Sequence, residues 1–124
     1  MHLVSHKMRK TWFIDFDGTL VLQKSHLSDR DEILPGTVDF FRNHIAEGDK
    51  VIITTAREES EHKERILRFM SAYGLKCDLV VCGLPTGPRI VINDTKPNGL
   101  VTAHAVELER DKGIDNEDLK HVKY

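Results

Sequence analysis

The chain has 124 residues, a length that suits one domain with one hydrophobic core. Its hydrophobic content is 40%, its charged content is 31% and its formal net charge is -2, which is ordinary for a soluble globular protein. This balance, without a long basic run, gives no support for a nucleic-acid partner. We find neither an apolar stretch of membrane-spanning length nor a signal-peptide pattern, so we expect a cytoplasmic protein. We expect Cys77 and Cys82 to be buried thiols rather than a disulfide or half of a zinc site.

The first predicted element is a strand at about residues 10–16, preceded by a polar tail at 1–9. Its centre, Trp12-Phe13-Ile14, is bulky and apolar, as a buried strand should be. Asp15 and Asp17 follow two positions apart, and because side chains alternate along a strand they should leave it on the same side. Gly18 then allows the backbone to turn. Two carboxylates at the end of a strand can bind a hard divalent cation, or act as a nucleophile and a proton-transfer group.

The middle of the chain alternates between polar segments, helices and strands. Residues 18–34 have few apolar side chains and predict a flap loop. A helix is then expected from Pro35 to about Gly48, a strand at 51–54, and a second helix at 58–73. Thr54-Thr55-Ala56-Arg57 joins that strand to the second helix, and a hydroxyl at such a helix start is a good donor to a phosphate oxygen.

The last third of the chain predicts strands at 77–82 and 89–92, an edge strand at 103–108, and a short helix capped by Asp115. Only residues 83–88 separate the first two of these strands, whereas a parallel crossover normally needs about a dozen residues. Asn93-Asp94-Thr95-Lys96-Pro97 follows the strand at 89–92. The alternation predicts one α/β domain over 1–124, with a doubly wound, mostly parallel sheet and helices on both faces.

The stretch D-F-D-G-T-L at residues 15–20 resembles motif one of the haloacid dehalogenase (HAD) superfamily of aspartate-nucleophile phosphatases. Thr55, with Thr54 as the second choice, resembles motif two, and Asp94 resembles motif four. The resemblance covers about residues 12–108 and implies a Rossmann-like fold. The segment at 18–34 is too short for a folded cap, so the chain resembles a capless member.

The resemblance implies that Asp15 attacks phosphorus and that Asp17 is the acid and base of the reaction. It implies Mg²⁺ held by Asp15, Asp94 and the main-chain carbonyl of Asp17. For the cation of motif three we favour Lys96, which lies just past Asp94, over Arg89, which lies at the start of its strand. The candidate phosphate contacts are Thr55 and Lys96, and the candidate substrate-binding residues beside them are Gly18, Thr19, Ala56 and Arg57.

These motifs imply a magnesium-dependent phosphomonoester hydrolase that acts through an aspartyl-phosphate, with a sugar phosphate or related small metabolite as the first substrate choice. A polynucleotide-end phosphatase and a non-catalytic binding module with the same fold stay open as alternatives. A capless site needs a wall that excludes water. We therefore expect either a homo-oligomer or a substrate large enough to cover the site.

Overall fold

A computed structural model describes residues 8–122 and shows an α/β architecture with a three-stranded parallel sheet and two helices. The strands are β1 (Thr11–Asp15), β2 (Lys50–Thr54) and β3 (Leu79–Val81), and they pair in the order β1-β2-β3. The helices are α1 (Thr37–His44) and α2 (Glu59–Ala72), and two short 3-10 helices span Gln23–Leu27 and Asn116–Leu119. The first three strands and both helices predicted from the sequence are confirmed, with bounds that differ by up to four residues at their ends. Residues 1–7 of the predicted tail lie outside the described residues.

One face of the sheet carries the core. Ile14, Ile53 and Val80 are buried and lie in register across the three strands. Both helices pack on this face, because the Phe40 ring of α1 meets Trp12 at 5.5 Å and the Phe69 ring of α2 meets Phe16 at 5.3 Å. The remaining buried members of this core are Leu20, Val21, Phe41, Val51, Ile66, Met70, Leu75 and Leu119. Burial of these side chains is the main stabilising contribution to the fold.

The opposite face of the sheet is open. Phe13, Ile52 and Leu79 lie in register on it, and Phe13 and Leu79 remain 60% and 48% exposed. Within residues 8–122, this face therefore lacks the covering helix that the sequence pattern predicts. The same part of the chain contains no helix long and apolar enough to cross a membrane.

The strands predicted at 89–92 and 103–108 are wrong, because the structure has neither helix nor strand between Val81 and Asn116. Ile90 is 82% exposed and Ile92 is 93% exposed, although the run that contains them resembles a buried strand in sequence. The physical reason is the crossing at 83–88, which is shorter than the connection that a parallel strand requires. The sheet therefore ends at β3 on one side and at β1 on the other.

The flap at 18–34 is folded rather than loose. Leu20 and Val21 are fully buried, Val21 bridges to Ile33, and the Leu34 amide donates to the Leu20 carbonyl at 2.9 Å. The C-terminal segment closes the structure beside it. There the Ile114 amide donates to Pro35 at 3.2 Å, and the predicted cap residue Asp115 accepts hydrogen bonds from the first turn of the last 3-10 helix.

Candidate active site

Asp15 is the last residue of β1 and lies in register with Thr54 on the open face of the sheet. Its side chain is 46% exposed, which leaves the carboxylate accessible. Thr19 donates its hydroxyl to Asp15 Oδ2 at 3.3 Å, and Arg89 Nη2 lies 4.0 Å from Asp15 Oδ1. Partial burial raises the pKa of Asp15, the positive charge of Arg89 opposes that rise, and the neighbouring charge of Asp17 adds to it.

A tight turn follows Asp17 directly. Gly18 has a φ of 79°, and its amide donates to the Val21 carbonyl at 2.7 Å. This left-handed conformation favours glycine, because a side chain there would strain the backbone. The Gly18 amide is therefore used inside the turn. Gly18 and Thr19, the predicted substrate-binding residues of this loop, shape the site through the turn and through the hydroxyl bond to Asp15.

Asp17 has partners different from those of Asp15. Thr55 donates its hydroxyl to Asp17 Oδ2 at 2.7 Å, and Arg57 Nε donates to Asp17 Oδ1 at 2.9 Å. Arg57 Nη2 also lies 2.8 Å from Asp17 Oδ1. Both carboxylate oxygens are thus held by residues that follow β2. Asp17 influences Asp15 electrostatically, but its carboxylate is bonded to Thr55 and Arg57.

Arg57 connects Asp17 to the flap. Its Nη2 atom lies 2.7 Å from Asp31 Oδ1, and its guanidinium carbon lies 5.1 Å from the centre of the Phe16 ring. The side chains of Arg57 and Asp31 are only 4% and 2% exposed. Arg57 was expected to bind substrate, but this buried position makes it a partner of the two carboxylates.

Arg65 of α2 completes the group from the opposite side of Asp31. Its Nε donates to Asp31 Oδ2 at 2.8 Å, and its two terminal nitrogens donate to the Ser28 and Ser25 carbonyls, each at 2.8 Å. We call Asp17, Asp31, Arg57 and Arg65 the charge cluster. Two carboxylates face two guanidiniums in it, so its formal charges cancel. Buried charges require such pairing, because an isolated ion is costly to remove from water.

The pKa shifts in the charge cluster follow from its contacts. Burial alone would raise the pKa of Asp31, but hydrogen bonds from Arg57 and then Arg65 outweigh it and hold that pKa below its usual value. Burial likewise opposes the charge of Arg57, and its bonds to Asp31 and Asp17 hold the pKa of Arg57 above its usual value. Both groups are therefore charged at neutral pH.

Sequence reasoning missed Asp31 and Arg65. Asp31 lies in a polar flap whose composition gives no sign of burial, and Arg65 directly precedes the buried Ile66 on α2. It also assigned Thr55 to phosphate, whereas the structure buries Thr55 completely and directs its hydroxyl to Asp17. Thr54, the second choice for motif two, lies beside Asp15. Ala56, a predicted substrate-binding residue, is exposed at the start of the connection to α2.

The candidates from the end of the chain separate into two groups. Arg89 reaches Asp15, although the sequence favoured Lys96 for a cation there. Asp94 and Lys96 lie in the exposed irregular segment, and the Lys96 amide donates to Leu100 in a turn. Residues 8–122 contain no group of three or more His, Cys, Asp or Glu side chains able to hold a metal ion.

No family model matches this chain, and neither a curated protein nor a solved structure matches it. A function is therefore inferred from the motifs and from the geometry around Asp15. That geometry offers an accessible carboxylate, a cation on one side of it, and a second carboxylate fixed close by. An accessible carboxylate can act as a nucleophile, and a fixed neighbour can move a proton.

Proposed function

We propose that the chain is a phosphomonoester hydrolase of the HAD type, with Asp15 as its nucleophile. The observation that carries the proposal is the position of Asp15, which is accessible at the C-terminal end of a parallel strand with Arg89 beside it and Asp17 held nearby. In α/β sheets, ligands bind beyond this end of the strands. The proposal includes the doubly wound, Rossmann-like fold, of which the three strands and two helices would form part.

The reaction would proceed in two steps at phosphorus. In the first, an oxygen of Asp15 attacks the phosphorus, the bond to the ester oxygen breaks, and Asp17, which enters this step in its protonated form, gives that proton to the departing oxygen. In the second, Asp17 takes a proton from water, and the water oxygen attacks the phosphorus of the aspartyl-phosphate. The phosphorus–Asp15 bond then breaks, which releases inorganic phosphate and restores the Asp15 carboxylate.

Arg89 is the cation best placed to assist this reaction. Its guanidinium lies 4.0 Å from the Asp15 carboxylate, where a phosphate approaching Asp15 would bring a second negative charge. A positive charge at that position offsets the repulsion between nucleophile and phosphate and stabilises the charge that develops during transfer. Thr19 keeps Asp15 in place through its hydroxyl bond.

Magnesium enters the proposal through the sequence resemblance alone. Asp15, Asp94 and the Asp17 carbonyl are the implied ligands. The two steps above use protein groups only. A requirement for Mg²⁺ is expected from the motifs and is measured in the experiment below.

The proposed substrate is a small phosphorylated metabolite, with a sugar phosphate as the first choice. The motifs favour this class, and the exposure of Asp15 supports an ester whose non-phosphate part extends into solvent. The net charge of -2 gives no support for a polynucleotide substrate.

Hydrolysis of p-nitrophenyl phosphate, measured with Mg²⁺ and with excess chelator, tests the proposal. Asp15→Asn should remove turnover, because the amide keeps the shape of the side chain and loses the nucleophile. Asp39→Asn is the matched control, since Asp39 is an exposed carboxylate on α1 that pairs only with Arg42 at 3.3 Å. Acid-quenched protein should carry an acyl phosphate on the peptide that contains Asp15. Unchanged turnover in Asp15→Asn would refute the proposal, and unchanged turnover in chelator would refute the metal requirement.

A further inference from the structure

The buried side chain of Arg57 links Asp31 of the flap to Asp17, the proposed acid and base. Asp31 of the flap and Asp17 of the site accept hydrogen bonds from the same guanidinium, that of Arg57. We propose that Asp31 is a positioning residue, which fixes Arg57 and thereby holds Asp17 in the orientation needed for proton transfer. This inference rests on the proposed function, because it concerns how Asp17 acts in that reaction.

Arg57 needs support on both sides of its guanidinium. An arginine side chain is long and loses much rotamer freedom when it is held in one position. The bonds of Arg57 to Asp17 use Nε and Nη2, whereas Nη1 and Nη2 face Asp31 at 3.4 and 2.7 Å. The two carboxylates therefore contact different edges of one planar group and define its plane. With Asp31 removed, only one edge of the guanidinium would be held.

Asp31 is itself held in place by Arg65. Arg65 Nε donates to Asp31 Oδ2 at 2.8 Å and its Nη2 donates to Asp31 Oδ1 at 3.1 Å. Arg65 Nη2 also donates to the Ser25 carbonyl and Arg65 Nη1 donates to the Ser28 carbonyl, so α2 fixes the flap backbone together with the Asp31 carboxylate. Inside the flap, Ser25 Oγ accepts from the Glu32 amide at 3.0 Å, next to Asp31 in the chain.

The electrostatics of the charge cluster support the same role for Asp31. Asp31 lies between Arg57 and Arg65, where its negative charge separates two positive ones. The variant Asp31→Asn keeps the shape of the side chain and removes that charge, which leaves the guanidiniums of the buried Arg57 and the partly buried Arg65 to repel each other. Arg57 would then be held at full charge only by Asp17, and the repulsion from Arg65 would shift the guanidinium and with it the Asp17 carboxylate.

A series of aryl phosphates separates this role from a general loss of structure. p-Nitrophenyl phosphate and phenyl phosphate have similar shapes, but the nitrophenolate departs readily without a proton whereas the phenolate benefits from one. The value of kcat/KM reports the first phosphoryl transfer, the step in which Asp17 would give that proton. We expect Asp31→Asn to lower kcat/KM about 10-fold or more for phenyl phosphate and less than about 3-fold for p-nitrophenyl phosphate.

Two further variants keep the test decisive. Arg65→Met removes the support of Asp31 without changing Asp31 or Arg57. It should therefore give the same dependence of kcat/KM on the leaving group. If Asp31→Asn does not fold, Arg65→Met takes its place in the test. Asp39→Asn should leave both esters unaffected. An equal loss on both esters in Asp31→Asn and in Arg65→Met, or no loss in either, would overturn the proposed role of Asp31. A wild-type protein that hydrolyses neither ester would instead refute the proposed function, and this role with it.

Discussion

Arg57 Nη2 lies 2.7 Å from Asp31 Oδ1, and both side chains are almost completely buried. This ion pair joins the loop after β2 to the flap, two segments that are 26 residues apart in the chain. Because Arg57 also binds Asp17, the pair fixes a residue of the candidate site as well as the fold. The same contact therefore has consequences for stability and for activity.

We expect Arg57→Met to lower the free energy of unfolding by about 3 kcal/mol or more. The methionine would fill part of the space, but Asp17 and Asp31 would lose their shared partner, and Asp31 would stay buried with Arg65 alone. Arg42→Met is the matched control, because Arg42 pairs with Asp39 on the exposed surface of α1 and such pairs contribute at most about 1 kcal/mol. Urea unfolding of both variants measures the difference. Equal midpoints for the two would contradict the structural role of Arg57.

Local patterns were enough to predict most of the elements. The apolar runs of β1 and β2 and the helical spacing of Val38, Phe41 and Ile45 depend only on neighbours in the chain. The pattern failed at residues 89–92, where an apolar run has the composition of a buried strand but does not pair. Pairing is a property of the connection and of the partner strand, and the sequence of the run itself contains neither.

The part of the site that could be predicted from the sequence is the part that lies in the motif at residues 15–20. Asp15 and Asp17 stand out because their spacing and Gly18 are adjacent in sequence. Asp31 and Arg65 do not, because a charged residue in a polar flap or on a helix is normally solvated, and burial depends on the tertiary contacts around it. The choice of Lys96 over Arg89 does not match the geometry for a different reason. It assumed a strand at 89–92, and the structure does not have that strand.

Arg89→Ala should lower turnover of p-nitrophenyl phosphate more than Lys96→Ala does. Arg89 Nη2 is 4.0 Å from Asp15 Oδ1, and loss of this charge leaves the phosphate and the nucleophile to repel each other. We expect a loss of about 10-fold or more for Arg89→Ala and less than about 3-fold for Lys96→Ala, which lies in an exposed turn. Steady-state kinetics with matched unfolding curves test this. A larger loss of turnover in Lys96→Ala than in Arg89→Ala would assign the cation of motif three to Lys96.

Stability should decrease in acid because of two buried carboxylates. Asp31 and Asp49 both have a pKa below the usual value; Asp49 is fully buried and accepts bonds from Trp12 Nε1 at 2.9 Å and the Ala46 amide at 2.9 Å. A carboxyl with a lower pKa in the folded state stabilises that state above its unfolded pKa, about 3.9, and this contribution disappears as the pH falls through the folded pKa.

We therefore expect the urea midpoint to change little near neutral pH and to fall steeply below about pH 4. Asp49→Asn should flatten the acid part of that curve, because it removes one of the carboxylates that take up a proton on unfolding. Asp39→Asn again serves as the control, as an exposed carboxylate. A curve for Asp49→Asn that is as steep as that of the wild type would show that Asp49 does not contribute to acid unfolding.

Gly36→Ala should destabilise the protein more than Gly74→Ala. Both glycines have a positive φ, 83° at Gly36 and 67° at Gly74, so alanine brings a backbone cost of about 1 kcal/mol or more at each. Only Gly36 faces another backbone: a Cβ there would overlap the Ile114 carbonyl oxygen, whereas no atom lies within 4 Å of a Cβ at Gly74. The overlap would push residue 114 away from Pro35 and break their hydrogen bond. We expect an additional loss of about 2 kcal/mol at Gly36, measured by urea unfolding. Similar losses for both variants would mean that the C-terminal segment does not pack against Gly36 in solution.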